Sequence, residues 1–339
     1  MIAGGLARQW YVACRSAHLR QRPLARTVMG VPLTLFRTSA GPAALLDRCP
    51  HRNVPLSMGR CSDDLLECRY HGWTFNGSGD CVRIPGLDGS TVPGGRTGVE
   101  SFAALEDRGW IWVCPTAGPA PPRPAVTWPT GDGYSQVYRS MVFEATVQAA
   151  LENTLDVPHT AFVHRGLFRG GGRAPMAIDV TVRHLDGGVE AVFEGESRPA
   201  GAIGRMLARR EAVVEHADRF LLPSIAQVEY RLDRQHVVIT SCFTPISNAR
   251  TALHAVASFH TTMPAAVVRA LVTPLAEVVL RQDARILQAQ SRNVERFGGP
   301  RPTNTRIDVL AGPIARLRRQ MDRGEPTHGD GEQRLVLYT

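Results

Sequence analysis

Two short segments of the sequence carry cysteine and histidine at spacings that suit metal binding. Cys49 and His51 form a Cys-x-His pair, Cys68 and His71 form a Cys-x-x-His pair, and 16 residues lie between the two pairs. Two thiolates and two imidazoles are the ligand set of a [2Fe-2S] cluster in which histidines bind one of the two irons. Such a cluster accepts and passes on single electrons. The first prediction is therefore an electron-transfer centre held by these four residues.

A zinc site, or four unrelated buried residues, would fit this pattern less well. Zinc binds the same atoms, but zinc fingers pair Cys with Cys and His with His, whereas each segment here holds one of each. Single cysteines and histidines are often simply buried residues with no shared function. These four instead occur at defined offsets beside Pro50 and Gly72, which favour turns. The pattern resembles the C-x-H…C-x-x-H signature of the Rieske family, in the form that lacks the additional cysteine in each loop.

The length and the proline distribution predict a second domain. A Rieske domain would end near residue 115, and the chain has 339 residues. Prolines are dense at 115–130, a composition typical of extended linkers. Short strand-like runs precede this segment, whereas strands and a long helix near 265–296 follow it. We expect a Rieske domain at 1–118, a linker at 119–130 and an α+β catalytic domain with an antiparallel sheet at 131–339.

Composition limits the other functional classes. The formal charge of +8 comes entirely from arginine, and no nucleic-acid-binding motif accompanies it, so we expect no nucleic-acid partner. There is no apolar run near 18 residues and no secretory leader, so we expect no membrane association. The remaining five cysteines form no disulfide-like framework, and a cytoplasmic location is expected.

A second set of candidate ligands begins the expected catalytic domain. His159 and His164 are five residues apart, and Pro158 precedes the first of them. Two imidazoles near a helix end can bind one metal ion, and imidazole suits ferrous iron. The proline bends the helix, so the pair need not follow ideal helical phase. The alternative is that each histidine is an ordinary hydrogen-bonded residue.

The long helix supplies a possible third ligand. Asp283 shares a helical face with Val279, Ile286 and Leu287. A buried carboxylate without a partner is costly, and metal ligation removes that cost. Two histidines and one carboxylate would complete the facial triad of non-heme iron oxygenases. The alternative is a salt bridge to an arginine. A helix start at Thr273 and Pro274 is consistent with this phase.

The remaining histidines make no comparable set. His254 and His260 alternate with apolar residues of a strand and are expected to line a pocket or to face solvent. His184, His216 and His236 lie in polar surroundings and are expected to be exposed.

Together these motifs resemble the oxygenase (alpha) component of Rieske non-heme iron oxygenases. The segment N-x-x-D-x-x-H-x4-H and the helix motif D-x-x-I-L-x-x-Q are most similar to the vanillate O-demethylase, dicamba monooxygenase and phthalate-oxygenase-like group. One departure is Gln282, where the family often has Glu. The resemblance covers nearly the whole chain and implies a helix-grip, START-like catalytic domain.

The resemblance also implies roles, cofactors and partners. Asn153 would lie close to the iron, and Asp156 would link an iron-ligating histidine to a Rieske histidine of a neighbouring subunit in a homotrimer. The cofactors would be one [2Fe-2S] cluster and one mononuclear Fe(II) held by His159, His164 and Asp283. Electrons would come from an NAD(P)H-dependent reductase, directly or through a ferredoxin.

The implied reaction is O2-dependent hydroxylation or oxidative demethylation of a small aromatic or hydrophobic compound. Two alternatives remain open: a Rieske electron carrier without oxygen chemistry, and another oxidative tailoring reaction, such as cyclisation, desaturation or dihydroxylation. Apolar side chains expected near the substrate are Leu155, Phe162, Val163, Phe168 and Phe243.

Overall fold

The computed structural model describes residues 4–87, 96–123, 126–131, 133–167, 177–196, 214–232, 234–261, 263–327 and 331–338. The chain divides into two compact units, one comprising Met1–Pro124 with Thr244–Ser247 and the other Ala125–Phe243 with Asn248–Thr339. The division after Pro124 falls inside the segment 119–130 that the prolines mark as a linker. Residue 168, one of the expected pocket positions, lies outside the described residues.

Short antiparallel strands build the first unit. They are β1 (Tyr11–Arg15), β2 (Leu24–Val28), β3 (Val31–Thr38), β4 (Gly41–Leu46), β5 (Arg60–Ser62), β6 (Leu65–Glu67), β7 (Thr74–Phe75), β8 (Cys81–Arg83), β9 (Ser101–Phe102), β10 (Ala104–Asp107) and β11 (Trp110–Val113). They form three sheets, ordered β1-β11-β10, β2-β3-β4-β9 and β5-β6-β7-β8. The expected all-β first domain is confirmed.

The four expected cluster ligands lie in two loops of this unit. Cys49 and His51 follow β4, and Cys68 and His71 lie between β6 and β7. Both cysteines are buried in an apolar cluster that includes Phe75. The short strands therefore hold the two loops against one core.

A large antiparallel sheet dominates the second unit. Its strands are β12 (Tyr134–Phe143), β13 (Ala177–Leu185), β14 (Gly188–Glu194), β15 (Val214–Leu221), β16 (Ile225–Leu232), β17 (Gln235–Ser247), β18 (Arg250–His260) and β19 (Glu332–Tyr338). The order is β12-β18-β17-β16-β15-β14-β13-β19. The helices are α1 (Val147–Thr154), α2 (Ala265–Arg296) and α3 (Ala311–Arg323).

The helices pack on one face of the sheet, which we call the inner face. Leu151 of α1, Leu287 of α2 and Ile314 of α3 share a buried cluster with Phe193 of β14 and Phe220 of β15. Alternating residues of each strand point to this face, so it is rich in apolar side chains. The α+β class expected for the second domain is confirmed.

The start of the long helix differs from one expectation. The helix begins at Ala265 after Pro264 and runs to Arg296, so the bounds 265–296 are confirmed, but Pro274 lies inside the helix and not at its start. A proline inside a helix loses one backbone hydrogen bond. Val268 and Val272 are buried just before it, and this packing outweighs the local preference that a proline signals.

The C-terminal region and the membrane prediction can also be compared with the structure. The sequence predicts a helical tail from about residue 313. α3 ends at Arg323, and Glu332–Tyr338 forms β19, which pairs with β13 at the edge of the sheet. None of the described helices is long and apolar enough to span a membrane.

Candidate metal centres

Tight turns shape the two loops of the first unit. The amide of Cys49 donates to the carbonyl of Val54 (2.9 Å), and the amide of Cys68 donates to the carbonyl of Trp73 (2.8 Å). Gly72 adopts a φ of +73°, and a Cβ at this position would lie 2.9 Å from a ring carbon of Pro85. Left-handed backbone favours glycine, which explains the glycine directly after His71.

The two expected histidine ligands lie side by side. The ring centroids of His51 and His71 are 4.5 Å apart, and His51 stacks on Trp73 at 4.8 Å. Nδ1 of His51 is buried and has no hydrogen-bond partner in the part of the chain that the structure describes. A buried ring nitrogen that lacks a hydrogen-bond partner is suited to bind a metal.

The cysteine pair fits a cluster on chemical grounds as well. Burial raises the pKa of the Cys49 thiol to about 11; the adjacent Cys68 raises it as well, whereas the backbone amides of His51 and Arg52 lower it. Without a bound metal, the Cys49 thiol would therefore remain protonated at neutral pH. A bound metal holds such thiols as thiolates, so buried sulfur and unpaired imidazole nitrogen together fit a two-iron cluster.

A broken helix positions the histidines of the second unit. The sequence predicts a helical stretch at about 144–165, and the structure divides it into α1 and a 3-10 turn at Pro158–Ala161. The hydroxyl of Thr146 caps α1 by accepting from the amide of Ala149 (3.1 Å). Pro158 opens the 3-10 turn, because its fixed φ suits a first helical position. His159 lies in this turn and His164 follows it.

The side chains of His159, His164 and Asp283 converge. Nε2 of His164 lies 3.1 Å from Oδ1 of Asp283, Nε2 of His159 lies 3.6 Å from the same oxygen, and the two Nε2 atoms are 3.3 Å apart. The three ligand atoms all lie within 4.8 Å of one another. His164 and Asp283 are buried, and His159 is nearly so. Three donors of this kind facing one point can hold a ferrous ion.

Hydrogen bonds on the far side of each ring orient the two histidines. Nδ1 of His159 donates to the backbone carbonyl of Asp156. Nδ1 of His164 donates to Oε1 of Gln282 (2.8 Å). Both contacts leave Nε2 as the nitrogen that faces the site, which is the usual role of outer partners at metal sites. Gln282, which stands where the family often has Glu, therefore still supplies an acceptor for Nδ1 of His164. The sequence motif alone did not reveal this role.

Asn153 and the histidines set the charge state of Asp283. Burial raises the pKa of Asp283, but the adjacent His159 and His164 and a hydrogen bond from Asn153 outweigh burial and lower it to about 2. The carboxylate is thus ionised and ready to bind a cation. The side chain of Asn153 lies within hydrogen-bonding reach of Asp283. The alternative of a salt bridge between Asp283 and an arginine is absent from the described residues.

Comparison with known proteins agrees with this geometry. Residues 9–102 match the family of Rieske [2Fe-2S] domains, and residues 143–324 match the family of vanillate O-demethylase oxygenase C-terminal domains. The second match covers more than half of the chain. The chain belongs to this family of Rieske oxygenases. The expected [2Fe-2S] cluster and mononuclear iron are cofactors of such proteins, and the side chains at both sites fit them.

Individual relatives show how far the similarity extends. The oxygenase component of dicamba O-demethylase from Stenotrophomonas maltophilia is 36% identical over 161 residues, which is 46% of this chain and 47% of the relative. Aminopyrrolnitrin oxygenase from Pseudomonas fluorescens is 27% identical over 270 residues, which is 74% of each chain. The chain spans about half or less of the length of several other curated relatives that it matches.

A solved structure covers more of the fold. Crystalline dicamba monooxygenase bound to 3,6-dichlorosalicylic acid superposes with a TM-score of 0.82 and 25% identity, over 95% of this chain and 98% of that chain. Each unit of this Rieske oxygenase therefore has the fold of the corresponding part of dicamba monooxygenase.

Several residues of this Rieske oxygenase lie in positions other than those expected. The exposed location predicted for His216 is wrong: the residue is 2% exposed, because it shares the inner face of β15 with Val214 and Phe220. His236 is partly buried and lies 2.8 Å from Glu229. The apolar residues at both ends of β15 were the signal that could have placed His216 inside.

The remaining positions divide between the surface and the interior. His254 is buried with Nδ1 3.1 Å from the Ser140 hydroxyl, whereas His260 is exposed. Phe162, expected near the substrate, is 82% exposed. Ile286, expected on the buried stripe of α2, is 49% exposed.

Proposed function

We propose that the chain is the terminal oxygenase of a multicomponent Rieske non-heme iron system. It would hydroxylate or oxidatively demethylate a small aromatic or hydrophobic compound with O2. The observation that carries this proposal is the convergence of His159, His164 and Asp283 in a chain that also contains the Rieske loops. An iron ion bound at these residues supplies oxygen activation.

The protein residues of the site would bind the iron and fix its open side. His159 and His164 present Nε2 to the metal because their Nδ1 atoms are bound to a carbonyl and an amide oxygen. Asp283 supplies the anionic ligand. Three protein ligands leave other coordination positions for O2, and the buried surroundings limit access of bulk water.

The substrate class is supported by related proteins. Dicamba monooxygenase and aminopyrrolnitrin oxygenase carry names of aromatic substrates. The inner face of the sheet is lined with apolar residues such as Phe193 and Phe243, which suits an aromatic compound. Other oxidative tailoring reactions remain the second candidate, because the same iron site serves several oxidations.

Electron delivery would cross a subunit boundary. The Asp156 carbonyl, and not its carboxylate, contacts His159. Within the described residues the carboxylate makes no hydrogen bond or ion pair, although it is largely shielded from solvent. We infer that it binds a Rieske histidine of a neighbouring subunit in a homotrimer. An NAD(P)H-dependent reductase, directly or through a ferredoxin, would reduce the cluster.

Oxygen consumption tests the proposed function. The purified chain would be loaded with iron, supplied with a reductase and NADH, and screened against methoxylated and aminated aromatics. We expect O2 uptake matched by a hydroxylated or demethylated product. Cys68→Ser, which removes a cluster ligand, should abolish product formation. A wild-type protein that passes electrons to a soluble acceptor but never oxidises an organic compound would support the electron carrier instead.

A further inference from the structure

The ring of His51 is held in place without hydrogen bonds. Its Nδ1 is buried, and none of the residues that the structure describes hydrogen-bonds its ring. The histidines of the second centre differ, because Nδ1 of His159 and Nδ1 of His164 each have an oxygen acceptor. A metal-binding imidazole is normally oriented by such a partner. Another kind of contact must therefore set the ring plane of His51.

Trp73 provides that contact. Its indole is nearly parallel to the His51 ring, with an interplanar angle of 6° and a centroid distance of 4.8 Å. His71 meets the same ring edge-on, with a centroid distance of 4.5 Å and an angle of 60°. The loop backbone determines where His51 lies, but rotation about its side-chain bonds could still turn the ring. A flat ring in parallel contact resists that rotation.

The second cluster loop in turn fixes Trp73. The carbonyl of Trp73 accepts from the amide of Cys68 (2.8 Å), and the hydroxyl of Thr74 donates to the carbonyl of Gly72 (3.0 Å). The indole is partly buried and packs against the apolar cluster that includes Phe75. Trp73 therefore links the second loop to the histidine of the first loop.

The aromatic neighbour of the other histidine is arranged differently. Tyr70 lies against His71 at a centroid distance of 3.8 Å, but the two rings are tilted by 35° and Tyr70 is 61% exposed. Exposed side chains change rotamer within picoseconds to nanoseconds, so Tyr70 holds no fixed plane beside its neighbour. We therefore expect Trp73, and not Tyr70, to fix the orientation of a cluster ligand.

We propose that Trp73 is a positioning residue for the Rieske cluster, which fixes the ring plane of His51 and shields one face of that ligand from water. This role requires His51 to be a cluster ligand, but it does not require the oxygenase function, since an electron carrier would need the same cluster. Reduction adds one negative charge to the cluster. Water stabilises such a charge and burial opposes it, so the indole should keep the reduction potential low.

A redox titration under argon, followed by the visible absorption of the cluster, tests the shielding. Trp73→Leu removes the stacked plane and admits water to the His51 ring. We expect the ratio of reduced to oxidised cluster at a fixed potential to rise roughly tenfold, which corresponds to an increase of about 59 mV in the reduction potential. Trp73→Phe keeps an aromatic plane beside His51 and should change the ratio by roughly threefold or less.

Pulsed EPR of the reduced cluster tests the orientation of His51. The coupling between the electron spin and an imidazole nitrogen depends on how the ring is turned toward its iron. We expect changed nitrogen couplings for one histidine in Trp73→Leu and nearly wild-type couplings in Trp73→Phe. Phe102→Leu removes an aromatic ring from a buried cluster that contains neither Cys49 nor Cys68. This control should lower the thermal stability but leave the potential and the couplings unchanged.

Three results would overturn the proposal. The first is a wild-type potential with wild-type couplings in Trp73→Leu, which would leave Trp73 as ordinary core packing. The second is a lower potential in that variant. The third is loss of the cluster from Trp73→Leu and Trp73→Phe alike, because the bulk of the indole would then be required. Loss from Trp73→Leu alone would support the proposal. No measurement here requires turnover, so all of them are independent of the oxygenase function.

Discussion

The two candidate metal centres are built in different ways. The Rieske ligands come from two loops of one small unit, with 16 residues between the pairs. The second centre joins segments far apart in the chain, and the contact between His164 and Gln282 spans 118 positions. The first site therefore depends on local turns, whereas the second depends on α2 packing beside α1 on the sheet.

This difference sets how each site tolerates change. In the loops, backbone hydrogen bonds at Cys49 and Cys68 and the positive φ of Gly72 determine where the ligands lie. In the second unit, apolar burial of Leu151 and Leu287 brings α1 and α2 together, and side-chain hydrogen bonds then orient the rings. Substitutions at the first site should displace the ligands by changing the backbone of the loops. Substitutions at the second site should displace them by removing side-chain hydrogen-bond partners.

Asp156→Asn should have the largest effect of the substitutions that spare the ligands. The backbone carbonyl that holds His159 is retained, so both metal centres should remain, while electron transfer to the iron is lost. We expect turnover to fall by roughly 100-fold. Iron content and the cluster absorption spectrum should match the wild type. Unchanged turnover would remove the bridging role.

Gln282→Leu should weaken the second centre alone. Without the amide oxygen, Nδ1 of His164 loses its acceptor and the ring loses its orientation. We expect iron affinity at this site to fall by roughly tenfold, measured by competition with a chelator. Gln282→Glu keeps an acceptor and should bind iron nearly as well as the wild type. Equal affinity of the Leu variant would mean that packing alone holds the ring.

Gly72→Ala should have the smallest effect, and only on the first unit. The φ of +73° and the approach to Pro85 should cost about 1–2 kcal/mol of folding free energy, seen as earlier loss of cluster absorbance on heating. Gly77→Ala is the matched control, because a Cβ there meets only ordinary contacts at 3.5 Å or more. Equal melting temperatures of the two variants would contradict the idea that Ala is strained at position 72.

The same contrast explains what the sequence could predict. The Cys and His offsets at positions 49–71 are local, so the cluster loops could be read directly. Asp283 could be placed by helical phase, because α2 is long and regular. The prediction for His216 was wrong, since polar residues on a strand suggest an exposed face when the neighbouring elements are unknown. β19 was missed because pairing with β13 depends on residues about 150 positions away.

The predicted start of α2 at Thr273 and Pro274 is wrong for a related reason. Pro274 is a local signal for a first turn, but burial of Val268 and Val272 against the sheet continues α2 through it. Tertiary packing outweighs local preference at such points, and packing partners cannot be read from one segment.

Iron content per chain tests the central claim most directly. Two irons belong to the cluster and one to the site of His159, His164 and Asp283, so we predict about three irons in the wild type and about two in Asp283→Ala, with unchanged cluster absorption. Glu277→Gln, an acid on the surface of α2, should keep about three. Two irons in both the wild type and Asp283→Ala would contradict the existence of the second centre.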